Sequence, residues 1–179
     1  MTMVSNGSSS SQPAEPLAST GAKPFLLPLH SLDLTRRVVD REGIARMNPH
    51  RGQMALIDAI LWHSANFKEG VAIKQVGPDE FWVAGHFPAK PMLPGVLMVE
   101  AAAQLGVFLY NARFPAPKLV AFTHIDRCSF RHAVVPGDDL LLLCKEVKFS
   151  PRRFISDIQG LVNGKIAFEA QINGVSLAE

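Results

Sequence analysis

"AGHFPAKPMLPGVLMVEAAAQLGVF", Ala84 to Phe108, changes character at Pro94. Before it, Gly and Pro punctuate a loop that carries one histidine, His86. After it, apolar residues cover every side of a helical wheel through Tyr110, broken by Glu100 and Gln104. Pro94 and Gly95 suit the opening turn of a helix. A helix that is apolar all round belongs inside a protein. Ala101, Ala102, Ala103 and Gly106 let a neighbouring backbone come close to it. About five turns span roughly 25 Å, the width of a small domain.

The segments around this helix read as strands. "FKEGVAIKQV" (67–76) ends at the Gly77-Pro78 turn signal, and "EFWVAGHF" (80–87) holds another short strand. "MALIDAILWHS" (54–64) is a strand or a short helix; its periodicity fits both. Beyond the helix come "KLVAFTHIDRCSFRHAV", "DLLLLCKEVKF", "RFISDIQGLV" and "KIAFEAQI", read as a four-strand meander. Asn163-Gly164 between the last two is a strong hairpin signal. Residues 28–46 read as a connecting arm with one short helix. The class is α+β: an antiparallel sheet wrapped around one long central helix. The sheet covers most of that helix, and a second copy of the chain is the natural cover for the rest.

The chain has 179 residues, with 47% hydrophobic, 19% charged and a net charge of +2, enough apolar material for a core. Residues 1–24, rich in Ser, Pro, Ala and Gly, read as a disordered extension, and 25–179 as a single domain. The first residues lack the apolar region of a secretory signal, and no apolar run has the length of a membrane span. Scattered Lys and Arg give no nucleic-acid footprint. Cys128 and Cys144 read as two buried free thiols of a reducing compartment, and the expected location is cytoplasmic. His30, His63, His124 and His132 show no metal-ligand spacing, and no nucleophile elbow, P-loop or dinucleotide fingerprint is present. No metal and no bound cofactor is expected.

The chemistry gathers on the opening stretch. An unpaired carboxylate in apolar surroundings takes up a proton more readily, so Glu100 reads as a general acid. Gln104, one turn on, can orient it. His86 reads as a general base. The helix start at Gly95 and Val96 offers N–H groups that polarise a carbonyl. Together these point to proton abstraction beside a carbonyl with loss of water from the next carbon. A loop histidine is more often a capping residue, and a helical glutamate more often sits at a solvated edge. Taken as residues alone, the catalytic and structural readings stay open. His50, in "NPHR", lines the pocket or braces its loop, with bracing favoured.

"GHFPAKPMLPGVLMVEAAAQ" resembles the signature of the bacterial FabZ-type β-hydroxyacyl-acyl-carrier-protein dehydratases. "NPHRGQMALID" and "IDRCSFRHAVVPGDDL" extend the resemblance over Met47 to Val175. It implies the hot-dog fold, in a homodimer whose sheets join and whose active sites are shared, commonly assembled further into a trimer of dimers. It implies His86 and Glu100 as the catalytic pair, each meeting its opposite number from the other subunit. It also implies Gly95 as the thioester-carbonyl clamp, with Val96, Gln104, Phe87 and His50 around the substrate. The partner is acyl carrier protein, whose pantetheine arm is the only prosthetic group. Glu100 stands where the FabA type has Asp, which favours dehydration without isomerisation. Gly52-Gln53-Met54, Ala89 and Lys90 depart from the usual pattern and bear on chain length and carrier docking. A thioesterase on the same fold and a non-catalytic carrier-binding homologue are the competing readings.

Overall fold

The computed structural model describes residues 23–177; of the extension expected over residues 1–24, residues 1–22 lie outside the described residues. One six-stranded antiparallel sheet wraps a single long helix. The strands are β1 (Ala59–His63), β2 (Glu69–Gln75), β3 (Val120–Phe130), β4 (Asp139–Ser150), β5 (Arg153–Val162) and β6 (Lys165–Ser176), in the spatial order β1-β2-β4-β5-β6-β3. The long helix, α2 (Gly95–Asn111), has 17 residues, and from Met98 onward all but Glu100 are buried. The fold is α+β, as its sequence predicts.

The sheet can close over α2 because both contribute small residues at the contact. Gly70 of β2 faces Leu105 and Leu109, and Gly106 of α2 faces Phe154 and Ile172. The main core collects α2 with Leu140, Leu142, Phe154, Ile158, Phe168 and Ile172. At the Asn163-Gly164 turn both residues hold positive φ, 49° and 72°, as the hairpin signal requires.

Three expectations are corrected. Residues 118–176 are not a simple meander: β4, β5 and β6 run consecutively, but β3 lies beyond β6 at the far border. Residues 80–87 form turns rather than a strand. There the Glu80 carboxylate accepts from Gly77 N, Trp82 Nε1 and the buried Lys74 Nζ, which folds the segment onto itself. Cys128 is exposed, because β3 is a border strand; Cys144 is buried, and both thiols are free. Burial pushes the Cys144 thiol up to about 12. Among the described residues, no helix is long and apolar enough to cross a membrane.

A second, short helix, α1 (Arg41–Met47), confirms the one expected in the arm. The Asp40 side chain caps it by accepting from Gly43 N, with Glu42 in the first turn and Arg46 in the last. Arg41 pairs with the largely buried Asp58, which also accepts from Gln75 N. That ties α1 to the β1–β2 end of the sheet and sets the start of the segment that leads to α2.

Gly160 of β5 lies where an added Cβ would run into the fully buried ring of Phe168. Gly160→Ala should therefore lower stability by about 1–3 kcal/mol through overpacking, read as a shift of the urea unfolding midpoint.

Candidate active site

Glu100 sits in the second turn of α2, half-buried, with apolar neighbours on either side along the chain. Gln104, one turn later and 2% exposed, donates through Nε2 to Glu100 Oε1 at 2.9 Å and to Met54 O at 2.8 Å. Its Oε1 accepts from Leu56 N at 3.0 Å. Asn48 Nδ2 donates to the Gln104 carbonyl at 2.8 Å. The carboxylate is thus held by a side chain that is itself pinned to residues 48–56.

His50 Nε2 stands 3.3 Å from Glu100 Oε1. His50 therefore does more than brace its loop, the role favoured from the sequence. Its Nδ1 is buried and has no hydrogen-bond partner among the described residues. The bracing falls to Arg51, whose guanidinium donates to the carbonyls of Ala45, Asn48 and His50. Sequence reasoning missed both roles. The available signal was the adjacent His50 and Arg51 directly after Asn48-Pro49.

Burial on its own raises the proton affinity of Glu100, but hydrogen bonds from His50 and Gln104, together with the His50 charge, outweigh it. The carboxyl is held below the ordinary glutamate value of 4.5. This reverses the expectation of a raised value. The sequence reading gave the carboxylate Gln104 as a partner, which holds, but not His50, and it weighed burial alone.

His86 is fixed in its loop by backbone bonds on both sides. His86 N donates to Trp82 O at 2.8 Å, and Met92 N to His86 O at 2.8 Å. Its ring Nδ1 lies 2.7 Å from Met92 O. A carbonyl oxygen only accepts, so Nδ1 carries a proton and Nε2 is the nitrogen left for a substrate. Phe87, half exposed, stacks on the imidazole with ring centroids 4.2 Å apart.

Gly95 opens α2 with no side-chain cap, after Pro94 in an extended conformation. The first N–H groups of a helix have no partner within it. Those of Gly95 and Val96 are such groups, and Val96 is well exposed. A Cβ at Gly95 would lie 2.7 Å from the ring of Phe130, so a side chain there would push that ring aside from the helix start.

A cleft beside Glu100 is lined by His50, Gln104, Val107, Phe122 and Phe154 among others. His86 is not among its described lining residues. One chain therefore gathers Glu100, Gln104 and His50 together. His86, Phe87 and the helix start do not line that cleft.

The FabA-like domain family matches residues 48–171 of this chain. A 3-hydroxyacyl-[acyl-carrier-protein] dehydratase FabZ from Haemophilus influenzae is 38% identical over 143 residues, 76% of this chain and 93% of that protein. Among solved structures, the dehydratase heterocomplex ApeI:P from Xenorhabdus doucetiae aligns with a TM-score of 0.67 at 15% identity, covering 76% of this chain and 91% of that one. An uncharacterised protein from Pyrococcus horikoshii aligns at 0.58 and 15%, covering 75% and 92%. These two likenesses bear on the fold, which is the hot-dog fold.

Glu100 binds protons less readily in the folded chain than an ordinary glutamate, so acid unfolding takes protons up. Its contribution to stability is complete above 4.5 and is lost as pH falls through the lowered value. Glu80 and Glu169 are lowered as well and act in the same direction. The urea midpoint should fall on acidification below 4.5, and Glu100→Gln should make that fall shallower. An identical acid limb in the variant would show that the carboxylate is not held by these bonds.

Proposed function

This chain belongs to the FabA-like domain family, and from that premise we propose that it is a 3-hydroxyacyl-[acyl-carrier-protein] dehydratase. It converts (3R)-hydroxyacyl thioesters on acyl carrier protein to trans-2-enoyl thioesters and water in fatty acid biosynthesis. One observation carries the assignment of roles. His86 has its Nδ1 proton committed to Met92 O, while a carboxylate is held in an otherwise apolar helix by Gln104 and His50.

In the proposed reaction the free Nε2 of His86 takes the C2 proton. The electron pair moves toward the thioester carbonyl, whose developing charge is met by the N–H groups of Gly95 and Val96 at the positive end of α2. The C3–O bond breaks, and the oxygen leaves as water with a proton from Glu100. Gln104 keeps the carboxyl aimed. Glu100 rests ionised, so the acid form has to be favoured on binding. An acyl thioester bound against Glu100 would remove water from the carboxylate, which raises its proton affinity at the moment of reaction. Phe87 stacks on the base and fixes the plane of its ring. Both proton transfers and the carbonyl are handled by side chains and backbone. The one prosthetic group is the pantetheine arm of the carrier, and the expected compartment is the cytoplasm.

A homodimer fits this reading better than a single chain. β3 borders the sheet with Phe122, Ile125 and Phe130 exposed. Pairing two β3 borders would bring the His86 loop of one copy toward the Glu100 cleft of the other. A trimer of such dimers is the further assembly that kinship implies.

His86→Ala and Glu100→Gln should each reduce enone formation by at least about a hundredfold while the far-ultraviolet dichroism stays unchanged. Mixing the two inactive variants after mild dissociation should restore part of the activity, because mixed dimers contain one intact site. No recovery from mixed dimers of verified composition would refute shared sites, and full activity in either single variant would refute the assigned roles.

A further inference from the structure

We propose that residues 23–39 are a strap that covers the apolar outer face and the β1 border of the sheet, so that strand-to-strand pairing with another copy of this chain is confined to the β3 border. The segment lies outside the 48–171 span that matches the family. Its contacts follow the order of the strands. Lys23 Nζ meets Glu169 Oε2 of β6 at 2.7 Å. On β5, Gln159 accepts from Leu26 N at 2.7 Å and donates to Pro24 O. Leu27, 2% exposed, fills a seat among Val71, Leu143, Leu161 and Ile166, from β2, β4, β5 and β6. Arg37 then reaches Gln75 of β2 at 3.0 Å. Val38 N and Val39 N donate to Ile60 O of β1, and Ile60 N donates to Val39 O. The chain crosses the sheet from β6 to β1.

Two things would be open without it. The apolar cluster around Leu27 contains no residue of α2. Val71 is in this cluster while Ala72 belongs to the main core with α2, which puts the cluster on the face turned away from the helix. Uncovered, it would present a contiguous apolar patch of the kind that recruits partners or aggregates. β1 would also be a second free border with unpaired backbone groups. The bridge at Ile60 blocks it in the middle of a strand only five residues long.

Glu169 and Gln159 make the seat specific. Both are nearly buried on this face, and Glu169 also pairs with Arg131. Gln159 offers both a donor and an acceptor to the passing backbone. A sheet with two free borders can add copies without end, whereas a sheet with one pairs once and closes. That pairing at β3 rests on the two-subunit reading above; the sealing of the outer face does not.

The test uses the full chain. The unaltered protein should give one mass that does not change with concentration, and should not bind a hydrophobic dye. Leu27→Asp, which puts a carboxylate into the apolar seat, should bind the dye and grow in mass with concentration. Where that variant fails to fold, Gln159→Ala removes the β5 tie without adding a charge, and trypsin should then cut at Arg36 and Arg37 several-fold faster. A folded Leu27→Asp protein with unaltered mass and no dye binding would overturn the proposal. So would a Gln159→Ala protein cut no faster than the original. A single-chain mass for the unaltered protein would overturn the two-subunit reading and leave the dye and protease results to decide the strap.

Discussion

Gln104 joins two parts of the molecule that the sequence keeps far apart, helix α2 and residues 48–56. Its nitrogen holds Glu100 and the Met54 carbonyl, its oxygen holds Leu56 N, and its backbone carbonyl takes Asn48. The side chain is almost wholly buried, so any of these bonds left unmade would cost about 1–3 kcal/mol. An apolar helix alone has little to fix its rotation about its own axis, because dispersion and burial are non-directional. Gln104 supplies the direction. It sets which face of α2 shows its carboxylate, and it fixes residues 48–56 against that face.

Two histidines illustrate how bonding rather than residue type assigns a role. His86 gives its Nδ1 proton to a carbonyl and leaves Nε2 free. His50 turns its Nε2 to the Glu100 carboxylate and leaves Nδ1 buried with no partner among the described residues. The first arrangement leaves one ring nitrogen available as an acceptor. The second stabilises an anion. Arg51, placed between α1 and the site, takes three carbonyls of the 45–50 turn and so holds the second histidine where it can do this.

Much of the fold is legible in the sequence because its signals are local. The run from Val96 to Tyr110 can only be an enclosed helix, and Asn163-Gly164 can hardly be anything but a hairpin turn. What stayed hidden depends on distant partners. Glu100 looked like an isolated acid because the groups that hold it ionised include His50, 50 positions upstream in the chain. The segment 80–87 looked like a strand because Glu80 finds its main partner in Lys74, on the preceding strand. β3 carries the same alternation as its successors, and nothing local says that it lies beyond β6. The site followed the same rule: His86, Glu100, Gln104 and Gly95 stood out within one stretch, whereas Phe130 against Gly95 and the position of His50 required the folded chain.

The strap has a consequence for the order of events during synthesis. Leu26 and Pro24 leave the ribosome before the strands of this domain, yet they bond to Gln159, over 130 positions later. Lys23 waits still longer, for Glu169. The apolar seat is itself assembled from β2, β4, β5 and β6, so the earliest-made part of the domain is the last that can dock. Contacts of such long sequence separation form late and slowly. Until the final hairpin closes, the nascent chain carries both an unseated Leu-rich segment and an incomplete sheet, and the interval between the two is when it is most exposed to misassembly.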